Sequence, residues 1–502
     1  MVVFSLDSKA SATRTESDSL ISVPAGPGAA RARPAAAAAV AMKTRRSTPR
    51  HRARPFILIG IGASLGLSCM PILVQIAQRR EAMPNTPRTS RRSFLGASLS
   101  GLALVGPAAP RRVSANERVS LPDVDIPYLC DVDRSVFERA ARAVEDRKAR
   151  RPQFAADLRR VLDDRAVDAV VIATPDHWHA PATLLACAAG KDVYVEKPAS
   201  HNLREGRMMV EAARRHRRIV QVGTQARSRP SALRAIDYIR SGKVGRVLAA
   251  KAWNIQLREN IGRKPDGAVP AGVDYDTWLG PAPRLPFNEN RFHYRWHWHW
   301  SFGTGDIGND GVHQIDIARW ALGVEHPQTV SGSARKLFFD DDQQTPDTMN
   351  ITFDYRDKVM SFEMRIWNPY MLEGIDNGVA VYGTEGYVHI GRWKPEATWG
   401  FRHFDKDGKV VHRDEDTEPD THARNFIQCI RSRIAPAADI EIGHISTLHA
   451  HLGNVVARTG RNLRFDAKSE SITGDPEANG LLGREYREHW STPRSSTRPG
   501  SL

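Results

Sequence analysis

Cysteine is scarce in this sequence, with four residues in 502: Cys69, Cys130, Cys187 and Cys429. No two of them form a Cys-x-x-Cys pair, which excludes the common zinc and dithiol motifs and leaves no disulfide framework. Cys130 and Cys187 lie in apolar runs, so the thiols beyond the leader are expected to be buried and inert. Acidic residues are also scarce, but only at the start. Residues 1–115 carry 17 Lys+Arg against 4 Asp+Glu, a net +13 of the chain's formal +15. The body that follows is therefore close to neutral. A basic leader on a neutral body is not the electrostatic footprint of a DNA- or RNA-binding protein.

The leader has little periodicity and few apolar runs before position 56. Residues 1–54, rich in Ala, Arg, Ser and Pro, read as disordered. The stretch Phe56–Ala77 is long enough to span a bilayer, and Arg52, Arg54, Arg79 and Arg80 flank it on both sides. Ser90-Arg91-Arg92-Ser93-Phe94-Leu95, followed by an apolar run to Ala109, resembles a twin-arginine export signal. Met83 just upstream would be a natural start. The expected arrangement is a leader at 1–82 outside the mature protein, a signal peptide at 83–115 and a periplasmic enzyme. The alternative is a membrane anchor at 56–77.

From Val124 the pattern alternates short apolar strands with amphipathic helices. Asp125–Cys130 reads as a strand and Arg134–Lys148 as a helix. Ala166–Ala173 is a β-branched run of the kind buried in parallel sheets. Pro181–Ala189 reads as a helix, Asp192–Glu196 as a strand, Arg204–Arg217 as a helix and Ile219–Gly223 as a strand. Strands and helices in this alternation make a parallel α/β sheet with right-handed crossovers. Ligands of such sheets sit beyond the carboxyl ends of the strands. The polar residues there are Asp131, Thr174-Pro175-Asp176-His177, Glu196-Lys197-Pro198 and Gln225.

Ala173-Thr174-Pro175-Asp176-His177-Trp178-His179, followed by Gly190 to Glu196-Lys197-Pro198, resembles the Gfo/Idh/MocA oxidoreductases over roughly residues 117–460. The resemblance implies a Rossmann-type domain (117–225) that binds NAD or NADP. A C-terminal α+β domain (226–465) would then carry a mostly antiparallel open-faced sheet, the substrate pocket and the contact of a homo-oligomer. It implies Lys197 as the lysine beside nicotinamide and substrate. Asp131 would bond the adenosine ribose, which favours NAD over NADP, because a 2′-phosphate would meet its charge. Thr174, Pro175, His177, His179, Glu196 and Gln225 complete the expected cofactor site. Standing alone, a Glu-Lys-Pro is more often a strand end and an Asp after a strand a helix cap. Order and spacing within one α/β pattern set these apart.

What the family has and this stretch lacks is a first strand with a Gly-x-Gly-x-x-Gly turn just before the Asp131 strand. Such a turn cradles a pyrophosphate with backbone N–H groups. Between Ala115 and Val124 there is no room for it. The sequence therefore reads as a Rossmann domain without its first strand and glycine turn. Phe56–Gly66 looks like a strand entering a glycine turn, but its spacing is Gly-x-Gly-x-x-x-Gly and the export signal separates it from the sheet, so it reads as a decoy.

Beyond Gly245 the strands lengthen and alternate polar with apolar, as in Val247–Asn254, Asp347–Phe353 and Lys358–Ile366. His422–Arg433 and Ile442–Thr459 read as helices packed back on the first domain, and 466–502 as a tail loosely held from Asp475. The stretch 291–320 is the most informative. Its Gly-Asp-Ile-Gly-Asn turn ends at Asn309, where the family's Asp-x-x-x-His pair has an acid, and His313 matches the histidine. That turn resembles a subgroup that includes NAD-dependent α-N-acetylgalactosaminidases. Catalysis is assigned to Lys197 and His313, with Asn309 positioning the hydroxyl. Trp296, Trp298, Asp310 and His313 are the candidate sugar-binding side chains. The His293, His297 and His299 spacing lacks an acid or Cys set for metal. The leading expectation is hydride transfer between a sugar or cyclitol hydroxyl and NAD. A redox-elimination glycosidase and a non-catalytic sugar-binding relic are the alternatives.

Overall fold

The computed structural model describes residues 57–59, 124–148, 150–393, 398–417, 421–487 and 490. The first domain is a six-stranded sheet. Its elements are β1 (Ile57–Ile59), β2 (Tyr128–Cys130), α1 (Arg134–Lys148), β3 (Gln153–Ala155), α2 (Leu158–Leu162), β4 (Ala169–Ile172), α3 (Asp176–Ala188), β5 (Asp192–Val195), α4 (Leu203–Arg215) and β6 (Val220–Val222). The order across the sheet is β3-β2-β1-β4-β5-β6, and every pairing is parallel. All residues of β4 and β5 are buried, because helices cover both faces of a parallel sheet. The expected helices begin where local chemistry allows. α3 starts earlier than its apolar pattern suggests, because Pro175 precedes it and Asp176 sits in its first turn. At the start of α4, the Asn202 side chain caps the Glu205 N–H.

The first strand is not missing. Ile57–Ile59 fills the central place of the sheet, with Leu58 opposite Leu129 on one side and Val171 on the other. This corrects the expectation that 1–82 lies outside the fold and that Phe56–Gly66 is a decoy. Contiguity along the chain argued against this segment, but pairing across a sheet needs only that a strand reach its neighbours. Of the stretch 56–77 named as a possible anchor, only 57–59 is described. The glycines at 60–66, the paired arginines at 91–92 and Cys69 lie outside the described residues.

The second domain adds α5 (Pro230–Arg240), β7 (Val247–Ile255), α6 (Tyr275–Leu279), α7 (Val312–Leu322), β8 (Thr329–Arg335), β9 (Thr348–Asp354), β10 (Val359–Arg365), β11 (Ile375–Gly383), β12 (Gly386–Trp393), β13 (Thr398–Phe404), β14 (Val410–Glu415), α8 (His422–Ser432), α9 (Ile440–Thr459), β15 (Leu463–Asp466) and β16 (Ser471–Ile472). Its ten strands run β14-β13-β12-β11-β7-β10-β9-β8-β15-β16, antiparallel except for β7 against β10. Helices α7 and α9 cover one face. α9 also packs on α4 of the first domain, and Gly443 lets it approach so closely that a Cβ there would fall 2.3 Å from Val222.

The described part of the tail, up to Trp490, is held, not loose. Arg484 donates to buried Glu205 at 2.7 Å and to the His177 carbonyl at 2.6 Å. Arg487 donates to the Gly280 carbonyl at 2.7 Å, and Trp490 packs edge-on to Trp178 at 4.8 Å. Charged residues dominate this stretch, so periodicity gives no sign of it. Cys130, Cys187 and Cys429 are free and buried, as expected.

Candidate active site

The carboxyl ends of β2, β4, β5 and β6 bring Asp131, Thr174, Lys197 and Gln225 to one edge of the sheet. Asp131 follows β2, beside β1, and its Oδ1 accepts the Asp133 N–H at 2.9 Å. Thr174 is buried after β4, and its hydroxyl has no hydrogen-bond partner among the described residues. Glu196 is buried after β5. Burial pushes its carboxyl up, while the Lys197 charge opposes. Gln225 opens the turn after β6 and reaches the Tyr194 hydroxyl at 3.4 Å.

Lys197 is held from the second domain. Its Nζ donates to the Asn309 backbone carbonyl at 2.5 Å and to Asn309 Oδ1 at 3.0 Å. Asn309 lies in a π-helical turn, Ile307–Gly311, that widens the start of α7; such turns recur at functional sites. The turn can sit here because two of its residues are glycine. A Cβ on Gly308 would lie 1.9 Å from Thr304 Oγ1, and one on Gly311 would lie 2.5 Å from the Phe362 ring. His313 follows one helical turn after Asn309 and is half-buried. Burial, then the charge of Lys197, pushes its imidazole down to about 4. Asp310 is pushed up by burial, but the charges of Arg258, Lys197 and His313 prevail and hold it far below the usual carboxylate range.

The helix that carries His313 is tied by a buried ion pair to the segment that leaves β6. Arg227, after β6, donates through Nε and Nη2 to the two oxygens of Asp316, each at 2.8 Å. Asp316 also accepts from Ser446 at 2.5 Å. Lys197 and His313 come from different domains, and this pair fastens α7 to the segment that joins them.

Several expected site residues have other duties. His177 is fully buried between the Trp278 and Phe302 rings, and its Nε2 meets the Trp278 carbonyl at 2.9 Å. His179 lies between the Pro198 carbonyl at 2.7 Å and the Thr174 carbonyl at 3.0 Å. Burial pushes it down to about 4. A neutral imidazole carries one N–H, so it donates to only one of these carbonyls. His179 braces the Thr174 turn against the Lys197 turn. Trp296 is 6% exposed and packs in the core of the first domain, under a stacked His297. Trp298 is 2% exposed, in the core of the second. Neither offers an open face to a sugar. The apolar pattern that marks an aromatic platform also marks a core, and burial separates the two.

Sequence reasoning left four participants without a role. Asp176 is buried in the first turn of α3 and accepts from Thr304 Oγ1 at 2.7 Å. Burial pushes it up to about 7 despite that bond and the Lys197 charge. Asn254, Gln256 and Arg258 point from the end of β7 into the site. Gln256 donates to Asp310 at 2.5 Å, Arg258 pairs with Asp310 and Asp306, and Asn254 donates to Asp306 at 3.0 Å. Their signal was the period-two pattern Asn-Ile-Gln-Leu-Arg, which continues the strand past Asn254. Among the described residues, no group of three or more His, Cys, Asp or Glu could hold a metal ion.

Comparison with known proteins agrees with this architecture. The profile of an oxidoreductase family with an NAD-binding Rossmann fold matches residues 112–224. The profile of that family's C-terminal alpha/beta domain matches residues 250–379 and 398–492. Inositol 2-dehydrogenase 2 of Saccharopolyspora erythraea is 34% identical over 187 residues, covering 36% of this chain and 44% of that protein. A glycosyl hydrolase family 109 protein of the same organism is 34% identical over 147 residues, covering 28% of this chain and 32% of its own length. The chain thus spans less than half the length of these curated relatives. A levoglucosan dehydrogenase solved with NADH and levoglucosan superposes with a TM-score of 0.56 at 16% identity, covering 82% of this chain and 99% of that one; at that identity the likeness is one of fold. The two profiles together cover about two thirds of the sequence, and the chain belongs to the Gfo/Idh/MocA oxidoreductase family.

Proposed function

We propose that this protein oxidises a secondary hydroxyl of a sugar or cyclitol, with NAD taking the hydride. The observation that carries the reading is the Lys197 ammonium, held by Asn309 at the carboxyl edge of a parallel sheet, with His313 one helical turn beyond. The edge fits a dinucleotide on its own evidence. It has a central β1, Asp131 beside it, and a buried Thr174 hydroxyl without a partner among the described residues. Asp131, Thr174, Pro175, Glu196 and Gln225 would hold the cofactor, whose part is to accept the hydride.

The chain's own residues handle the proton. Two of the three donors of Lys197 are spent on Asn309, which leaves one for the substrate oxygen. Neutral His313 takes the hydroxyl proton, and the Lys197 charge stabilises the oxygen as that proton leaves. The central β1 supplies the strand from which a glycine turn would leave, which weighs against a non-catalytic relic. The glycosidase reading keeps one specific support, the amide at 309 where an acid would act, together with the named glycosidase relative.

The test is to supply the purified full chain with NAD and a panel of hexoses, inositols and aryl glycosides. NADH formation from a free sugar or cyclitol, lost by about a thousandfold in Lys197→Met, supports the dehydrogenase. Release of the aryl group without net NADH would instead identify the glycosidase. Export through residues 83–115 is proposed on the paired arginines alone. Because β1 lies upstream, cleavage behind Ala115 would remove it, so the amino terminus of the protein taken from its source is the deciding measurement.

A further inference from the structure

Asn309 stands where the catalytic helix was expected to offer a carboxylate, yet a carboxylate lies within reach of its amide. Asp306 is fully buried. Its Oδ1 accepts Asn309 Nδ2 at 2.9 Å and Arg258 Nη2 at 2.9 Å. Its Oδ2 accepts Asn254 Nδ2 at 3.0 Å and Arg258 Nε at 3.2 Å. Both oxygens are thereby held, from the end of β7, in one orientation.

A carboxylate only accepts hydrogen bonds and an ammonium only donates them. With Asp306 on one side and Lys197 on the other, the Asn309 amide has one permitted direction: NH₂ towards Asp306, carbonyl towards Lys197. We propose that Asp306, braced by Arg258 and Asn254, is a positioning residue that locks the Asn309 carbonyl onto Lys197. The site thus divides between a neutral acceptor and a displaced carboxylate the work that one acid at 309 would do. Arg258 also pairs with Asp310, so the same guanidinium joins the two acids that flank Asn309.

The inference deepens the proposed reading and rests on it only for turnover; the amide's direction is a property of the chain alone. An amide at 306 could pair with Asn309 either way round, so Asp306→Asn removes the lock while keeping shape. A carboxylate at 309 has two equivalent oxygens and needs no orienting, so adding Asn309→Asp to Asp306→Asn should restore the acceptor.

The experiment acylates the folded, ligand-free full chain with acetic anhydride. Lys197 is followed by peptide mass against exposed Lys243, alongside turnover of the best substrate. In Asp306→Asn, Lys197 is expected to label about threefold faster and kcat to fall about tenfold, the scale of one charge-assisted hydrogen bond, with KM little changed. The double variant is expected to bring both the labelling rate and kcat most of the way back to those of the parent. Unchanged labelling in a cooperatively melting Asp306→Asn, or no recovery in the double variant, would overturn the proposal. Should Asp306→Asn not fold, Asn254→Ala keeps the carboxylate and removes one of its braces. Faster Lys197 labelling there supports the proposal, and unchanged labelling sinks it. Labelling that behaves as expected in a protein that oxidises no sugar would defeat the functional reading and leave this one standing.

Discussion

His313 and Asp176 are pushed in opposite directions by the same cause, burial, because one loses a positive charge in its neutral form and the other gains a negative one on ionising. For His313, pushed down to about 4, the imidazole is neutral and able to accept a proton throughout the neutral range. Oxidation should therefore rise with pH through about 4 and stay level from about pH 5 to 7, read as kcat/KM against pH. An acid limb near the ordinary histidine value would show that burial does not lower the base in this way. Asp176 works through stability instead. Unfolded, its carboxyl ionises in the ordinary range; folded, it keeps its proton up to about 7. Over that interval the unfolded state binds fewer protons, so this group costs stability as pH rises. Asp176→Asn, which can still accept from Thr304, should gain several degrees in Tm over the parent at about pH 8 and little at about pH 4. An equal change at both pH values would contradict this.

Among the elements, α7 matters most, because it carries His313 and depends on a buried pair for its placement. Arg227 and Asp316 are 7% and 0% exposed in their side chains. Removing one member of such a pair strands the other without solvent. Arg227→Ala is expected to cost about 3 kcal/mol in urea unfolding and to lower turnover further, by loosening α7 against the segment after β6. A loss below about 1 kcal/mol would mean that Arg319 and Ser446 suffice for Asp316. The π-helical turn before α7 was not legible in sequence, since a widened turn differs from an α-helix by a single residue of register. Nor was the duty of His177 and His179, whose side chains sit among the site motifs but point to main-chain carbonyls.

At the scale of the whole molecule, β1 decides whether the sheet is closed at its centre. A chain beginning at residue 113 keeps every family motif quoted from Asp131 onward but leaves the facing edges of β2 and β4 unpaired. It is expected to bind NAD at least tenfold more weakly than the full chain by calorimetry, and to self-associate through those edges. Equal affinity in the two would show that β1 contributes nothing to the cofactor edge.

The sequence by itself determined the alternation of strand and helix, the parallel sheet, the second, mostly antiparallel domain, and the residues Lys197, Asn309 and His313. These are written in local periodicity, in strand-end chemistry and in a motif whose order along the chain is its meaning. Only the tertiary structure decided that Ile57–Ile59 belongs in the sheet, that Trp296 and Trp298 are core, that the tail to Trp490 is clamped, and that Asp306 and Arg258 stand behind Asn309. Each of these depends on pairing between segments far apart in the chain, where burial and hydrogen-bond partners are set by neighbours in space that no window along the sequence contains.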